Sequence, residues 1–375
     1  MNETQQSQRI VFLDYLRVIA CLMVMIVHSC EPFYFDAEGN TCFLNAGNAF
    51  WATWIDSAVR ASVPLFVIAS SYLLFPLKVA TGAFYRRRFI RVIVPFVLWA
   101  LIYFVQARPE GWIKEGSKLL FNFPDAAGHL WFVPMLLGLY LLMPLLSPWA
   151  ERATEKEVRG WLLVWLFTTA FPFLRKLWGL LYGDPPFGVV PYLFGECPWN
   201  GFGTFHYVSG FFGYLLLGLY FKRFVPAWPW RRTLATAIPL WLAGMAIVGS
   251  FFYFRIPASE GFPVTKPYAT AVDLEMSWEF CSTGVAMTVI AYFLIFRKFI
   301  WDGAFYRRVI RPASEASYGT YLMHMLLLTP FVEYYRQFLP TPAVIPLTAL
   351  STLLAATAIS VLIRKIPVAG KWLVG

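Results

Sequence analysis

The chain has 375 residues, of which 59% are hydrophobic and only 14% are charged. Soluble domains carry about 25% charged residues, and a soluble protein of this size could not bury so many apolar side chains. The composition therefore excludes a disordered or soluble globular protein and indicates an integral membrane protein. The net charge of +10 does not indicate nucleic-acid binding, because the basic residues lie between apolar runs rather than on one soluble face.

Long apolar runs predict an all-α, polytopic bundle of about ten transmembrane helices. A bilayer core of about 30 Å requires roughly 17–25 mostly apolar residues per helix, whereas a β-barrel would show short alternating segments. We expect residues 1–375 to form a single transmembrane domain without a fused soluble domain. The predicted spans are 11–30, 57–77, 90–107, 129–148, 160–176, 206–221, 233–254, 274–296, 317–338 and 343–363.

Basic residues are concentrated in alternate segments between these spans, for example around Arg88, Arg159, Arg223 and Arg308. Cytoplasmic loops of membrane proteins carry an excess of lysine and arginine, so both termini are predicted to be cytoplasmic. The long outer segment 177–205, with Asp184, Pro185 and Pro186, is interpreted as an outer rim or a re-entrant piece.

The first span carries Arg17 and His28, which are eleven residues apart. That is almost three helical turns, so they project from one face about 16 Å apart. Asp14 and Cys21 share this face. Arg17 alone could extend to the interface, and His28 could cap the outer end of the helix. The pair on one apolar helix favours a polar interior path, because charged groups inside a bilayer are costly and usually functional.

An arginine cluster precedes the third span. Arg87 and Arg91 are spaced i, i+4, and Arg88 and Arg91 i, i+3, so they gather on one helix surface. Guanidinium groups bind phosphate oxygens in bidentate fashion. On charge alone, contact with anionic lipid headgroups is the simpler interpretation.

Two other histidines lie in apolar runs. His129 begins a span at the outer end, close to Trp131. Ser317, Tyr321 and His324 are spaced i, i+4, i+7, and we expect them to line one helix face near the inner end. No two histidines share a ligand-like spacing, so no metal site is predicted.

The five cysteines do not form the pattern of a disulfide scaffold. Cys21 and Cys281 lie inside apolar runs, which indicates a packing role. Cys30, Cys42 and Cys197 fall in outer segments, where a bridge is chemically possible. A Cys30–Cys42 bridge is the minor alternative, because sequence cannot establish connectivity.

Five of these segments together resemble the acyltransferase 3 family of membrane acyltransferases. The family's first helix has an arginine, ten residues and then a histidine, which Arg17 and His28 match. The other similar segments are VPLFVIASSYLL (63–74), YRRRFIRVIVPF (85–96), HLWFVPMLLGLYLL (129–142) and SYGTYLMH (317–324). They occur in the family's order over almost the whole chain. In the second segment, the family's Ser-Gly-Tyr is represented by Ser70, Ser71 and Tyr72, so a hydroxyl replaces the glycine.

The resemblance implies transfer of an acyl group, usually acetyl from cytoplasmic acetyl-coenzyme A, to a hydroxyl of a glycan or other acceptor. Arg17 would then lie along the path of the pantetheine arm. His28 would act as general base or accept the acyl group itself. The coenzyme A phosphates would be held by Arg87, Arg88 and Arg91. The expected location is the bacterial inner membrane, with membrane lipid as a further partner.

The chemistry of His28 agrees with this role. A neutral imidazole with a pKa of about 6.5 can deprotonate a hydroxyl at neutral pH. Asp14 is too far along the helix to orient His28, whereas Glu31 is only three residues away and could do so.

Two other classes of protein remain open. A transporter or exporter of a lipid-linked glycan would use Arg17, His28 and His324 as a polar path. Such proteins commonly show repeats and paired broken helices, which this sequence lacks. A passive structural subunit would not retain Arg17 and His28 in an apolar helix. The acceptor, the choice between acetyl, succinyl or longer acyl groups, and the oligomeric state are left open.

Overall fold

The structure is a computed structural model that describes residues 9–36, 39–108, 110–119, 121–183, 190–256, 261–265, 274–367 and 369–375. These residues form α-helices joined by short 3₁₀ turns, and the described part contains isolated β-bridges but no strand. The helices are α1 (Val11–Cys30), α2 (Ala46–Val59), α3 (Ser62–Leu74), α4 (Thr81–Ala107), α5 (Trp112–Lys118), α6 (Phe132–Arg152), α7 (Glu155–Thr168), α8 (Phe171–Tyr182), α9 (Phe212–Arg223), α10 (Trp230–Arg255), α11 (Thr283–Phe296), α12 (Arg311–Tyr335), α13 (Thr341–Arg364) and α14 (Ala369–Val374).

The predicted all-α class is confirmed. Within the described ranges, 7 stretches are long and apolar enough to cross a membrane. They are Val11–Phe33, Ala46–Leu74, Thr81–Ala107, Ala127–Arg152, Trp230–Arg255, Glu275–Phe296 and Thr341–Arg364.

The other three predicted spans have a different form. The span predicted at 160–176 is divided between α7 and α8, because Pro172 in the first turn of α8 has no backbone N–H to continue the helix. The span predicted at 206–221 contains the end of a 3₁₀ turn, Gly203–Val208, followed by the 12-residue α9. The span predicted at 317–338 lies mostly in α12, a 25-residue helix whose first turns carry Arg311 and Glu315.

Helix α1 lies at the centre of the bundle, against α2, α3, α11, α12 and α13. Its Leu16, Ala20 and Met25 are completely buried, as expected for a helix that is apolar on several faces. Asp14 is buried as well, and its carboxylate accepts hydrogen bonds from Arg9, Tyr306 and Ser314. These bonds tie the start of α1 to α12 and compensate for burial of the charge.

Small residues set the closest helix contacts. A Cβ added at Gly244 of α10 would lie 2.7 Å from the carbonyl oxygen of Gly284 in α11. In the same way, a Cβ at Gly218 of α9 would lie 2.6 Å from Cβ of Ser71 in α3. Membrane helices approach this closely only where side chains are small. These glycines therefore allow close packing of α10 against α11 and of α9 against α3.

All five cysteines are free thiols, so the alternative Cys30–Cys42 bridge is absent from the structure. The expected rim segment 177–205 is described only in part, and its Asp184, Pro185 and Pro186 lie outside the described residues. Near its end, Glu196 is buried and forms an ion pair of 2.7 Å with Arg175.

Candidate active site

A cavity of about 230 Å³ lies between α1, α3, α4, α6 and α12. We call it the arginine cavity. Six residues singled out in the sequence line it together: Arg17, Ser70, Arg88, Arg91, Ser317 and Tyr321. The remaining lining is mostly apolar, and it includes Val24 and Phe132. Residues far apart in the chain therefore converge on one cavity.

The arginines of this cavity are only weakly neutralised. Nη1 of Arg17 lies 3.8 Å from Oδ1 of Asp14. The carboxylate of Asp14 already accepts hydrogen bonds from three other side chains. Among the described residues, Arg88 and Arg91 form no ion pair with a carboxylate. Arg87 is exposed and does not line the cavity, so the arginine cluster is divided between the cavity and the surface.

Three histidines, His28, His129 and His324, meet next to the arginine cavity, and we call them the histidine cluster. The ring centroids of His28 and His324 are 5.2 Å apart, those of His129 and His324 4.9 Å, and those of His28 and His129 6.4 Å. The ring centroid of Tyr321, which lines the cavity, lies 5.8 Å from that of His324. The prediction that His324 lies near the inner end of its helix is wrong. It is thirteen residues from the start of α12, about 20 Å along the axis, and faces the end of α1 that carries His28.

His28 is paired with Glu31. Nδ1 of His28 lies 2.8 Å from Oε1 of Glu31, and the two side chains are 17% and 31% exposed. An ionised carboxylate only accepts hydrogen bonds, so Nδ1 carries the hydrogen and Nε2 is the nitrogen with a free lone pair. This contact matches the orienting role expected for Glu31, and it leaves His28 ready to accept a proton at Nε2.

The other two histidines are buried, and their Nε2 atoms have no hydrogen-bond partner among the described residues. Nδ1 of His324 lies 2.5 Å from the carbonyl oxygen of Tyr321, which fixes the hydrogen on Nδ1. The hydroxyl of Tyr321 in turn donates to the carbonyl of His129. Buried polar atoms are normally paired, so these two unpaired nitrogens set the histidines apart from the other buried polar groups of the bundle.

The three residues at 70–72 have separate surroundings. Only Ser70 lines the arginine cavity. Ser71 faces α9, where its hydroxyl donates to the carbonyl oxygen of Leu215 at 2.5 Å. The ring of Tyr72 packs edge-on against Phe12. The hydroxyl that replaces the family's glycine is therefore accommodated opposite Gly218 rather than in the cavity.

A second cavity of about 390 Å³, which we call the acidic cavity, was not predicted. Its lining includes Arg60, Trp131, Glu275, Trp278, Glu279 and Phe280. Arg60 is buried. Its guanidinium donates hydrogen bonds to both carboxylate oxygens of Asp56, at 2.6 and 2.7 Å, and to Oε1 of Glu275 at 3.3 Å. The spacing i, i+4 of Asp56 and Arg60 within an apolar run is a signal that would have indicated this ion pair.

One segment contributes to the walls of both cavities. Phe132 lines the arginine cavity and its neighbour Trp131 lines the acidic cavity. The two rings are nearly perpendicular, with centroids 6.5 Å apart. The histidine that precedes them in this segment, His129, belongs to the histidine cluster. This segment therefore links the histidine cluster to two chemically different spaces.

Within the described residues, no group of three or more His, Cys, Asp or Glu side chains is arranged to hold a metal ion. Comparison with protein families matches residues 10–364 to the acyltransferase 3 model, which is described as an acyltransferase domain. No curated protein and no solved structure matches the chain significantly.

Proposed function

This chain belongs to the acyltransferase 3 family, and on that premise we propose that it transfers an acyl group, with acetyl-coenzyme A as donor, to a hydroxyl of a cell-envelope or exported glycan. The acyltransferase activity follows from the family. The two cavities and the histidine cluster support the proposed donor, acceptor and role of His28.

The single observation that carries the proposal is the convergence of Arg17, Arg88 and Arg91 on a cavity that ends beside the histidine cluster. A volume of about 230 Å³ is too small for a whole coenzyme A, but it suits the narrow pantetheine arm. Arg88 and Arg91 would bind the phosphates at the mouth, since guanidinium groups pair with phosphate oxygens. The thioester would then lie near Tyr321, within reach of the histidines.

His28 would act as the general base. Its Nε2 takes the proton of the acceptor hydroxyl while that oxygen attacks the thioester carbonyl. A new C–O bond forms, the C–S bond breaks, and the coenzyme A thiolate leaves with the proton from Nε2. Glu31 holds the ring through Nδ1 and stabilises the imidazolium that forms in between. If His28 instead accepted the acyl group, an acyl-enzyme would accumulate before acceptor is added.

The proposed topology places both termini in the cytoplasm of a bacterial inner membrane, with about ten membrane crossings. The arginines at the start of α4 would then face the cytoplasmic pool of acyl-coenzyme A. Lysine and arginine enrichment of the alternate loops supports this orientation. A reporter that is active only in the cytoplasm, fused after Gly375, is expected to be active.

The proposal is tested with purified protein in lipid nanodiscs and radiolabelled acetyl-coenzyme A. The His28→Ala variant is expected to lose between 10²- and 10⁴-fold in transfer rate, the usual contribution of a general base. His206→Ala is the matched control, because His206 is exposed and outside the cluster. Coenzyme A binding should be unchanged in both variants.

Two results would contradict the proposal. Retained transfer in His28→Ala would exclude His28 as the base. If wild type neither binds coenzyme A nor releases it from acetyl-coenzyme A, the donor is wrong, and the polar path of a glycan exporter becomes the better interpretation.

A further inference from the structure

The acidic cavity has no part in the reaction described so far, although two of the segments that carry the histidines continue to its wall. The segment that carries His28 continues through Glu31 to Tyr34, whose hydroxyl lies 3.2 Å from Oε1 of Glu275 in the cavity wall. The segment that carries His129 continues to Trp131 in the same wall. Both connections are short, so a molecule in this cavity would lie close to the proposed base.

The basic side chain in the lining of this cavity, Arg60, is already paired. Arg60 is held by both oxygens of Asp56, so one positive charge is neutralised by one negative charge. The carboxylates of Glu275 and Glu279 remain. Arg175, on the neighbouring α8, is paired with Glu196. The cavity therefore presents carboxyl oxygens but, among its described lining residues, no unpaired basic side chain, which disfavours an anionic ligand.

Glu279 is the group best placed for a ligand. Its side chain is exposed to the cavity, and among the described residues it forms no hydrogen bond or ion pair. Glu275, by contrast, already accepts bonds from Tyr34 and Arg60. An unpaired carboxylate in a concave site can accept two or more hydrogen bonds from hydroxyl groups.

Aromatic rings form another part of the cavity wall. Trp131 and Phe280 are stacked, with centroids 5.4 Å apart and planes at 26°, and Phe211 lies 6.0 Å from Trp131. Flat aromatic faces beside hydroxyl acceptors suit a ligand that has both an apolar C–H face and several hydroxyls. A volume of about 390 Å³ lies within the usual range for small-molecule sites, about 300–1,000 Å³.

We infer that the acidic cavity binds the acceptor, and that the acceptor is an uncharged saccharide unit whose hydroxyls are held by Glu279 and Glu275 against Trp131 and Phe280. This inference rests on the proposed transferase function. It goes further because it assigns the acceptor site and excludes phosphorylated and uronic-acid units. The donor and acceptor would then approach each other at Trp131 and Phe132, close to the histidine cluster.

The test compares three acceptors with the wild-type enzyme in nanodiscs and radiolabelled acetyl-coenzyme A. They are a neutral glucose hexasaccharide, a galacturonic acid hexasaccharide, and the phosphatidylglycerol of the nanodisc itself. We expect label on the neutral sugar and little on the other two. Glu279→Gln should raise the KM for the neutral sugar about tenfold, since a charged acceptor of two hydrogen bonds becomes a neutral amide, without changing the KM for acetyl-coenzyme A. Glu333→Gln is the matched control, because Glu333 is exposed and its one ion pair among the described residues is with Arg336.

The outcomes separate the two proposals. If acetyl-coenzyme A is consumed but the label goes to the acidic sugar or to lipid, the acceptor inference fails and the transferase function stands. The same holds if Glu279→Gln leaves the acceptor KM unchanged. If wild type neither binds nor consumes acetyl-coenzyme A with any acceptor, the proposed function itself fails.

Discussion

Arg60 in the acidic cavity and Arg88 in the arginine cavity are both guanidinium groups within a largely apolar bundle, but their surroundings are opposite. Arg60 is enclosed by Asp56, Glu275 and Tyr34, and it lies 4.4 Å from the ring of Trp278. Arg88 lines an open space and forms no ion pair with a described carboxylate. An arginine with all its partners in the protein holds the fold together, whereas one without them is available to a ligand.

The largest expected effect tests whether Arg60 stabilises the folded protein. Arg60→Leu leaves the carboxylate of Asp56 buried without its partner, which should destabilise the protein by about 3–5 kcal/mol. Thermal unfolding in detergent, followed by loss of helical circular dichroism, measures the change. The double variant Arg60→Leu with Asp56→Leu removes both charges and should recover most of the lost stability. A single variant as stable as wild type would show that the network is not structural.

The next effect tests whether Arg88 and Arg91 bind the donor. Replacing Arg88 and Arg91 together by Gln should leave thermal unfolding nearly unchanged, because neither side chain has a carboxylate partner to lose among the described residues. The KM for acetyl-coenzyme A should rise about 100-fold, roughly tenfold for each charged hydrogen bond lost. Arg87→Gln is the control, since Arg87 is on the same helix but outside the cavity. An equal rise in Arg87→Gln would mean that the cluster acts only through its overall charge.

Local spacing explains what could be predicted of the site. Arg17 and His28 share a face because both lie on one helix, and Arg88 and Arg91 follow the same rule. The contact of His28 with Glu31 also lies within one helical turn. Such relations depend only on helical geometry, so the sequence was sufficient to predict them.

Contacts between distant segments could not be predicted in this way. The meeting of His28, His129 and His324 depends on how α1 and α12 pack against the 3₁₀ turn before α6. The acidic cavity requires Glu275 and Glu279, which lie in one wall with Arg60 only through the tertiary fold. Hydropathy averaging likewise conceals the break before Pro172, because the residues on both sides of it are apolar.

The smallest effect compares two adjacent serines of α3, one inside the arginine cavity and one outside it. Ser71→Ala removes the hydrogen bond to the carbonyl oxygen of Leu215 and should lower stability by about 1 kcal/mol, with no change in the KM for acetyl-coenzyme A. Ser70→Ala removes a polar group from the cavity wall and should show the opposite pattern, a raised KM with unchanged unfolding. Each variant is the control for the other, since both delete a single hydroxyl from the same turn. If Ser71→Ala raised the KM as much as Ser70→Ala, the cavity would depend on the α3–α9 contact, and the separation between structural and ligand-facing groups would not hold along this helix.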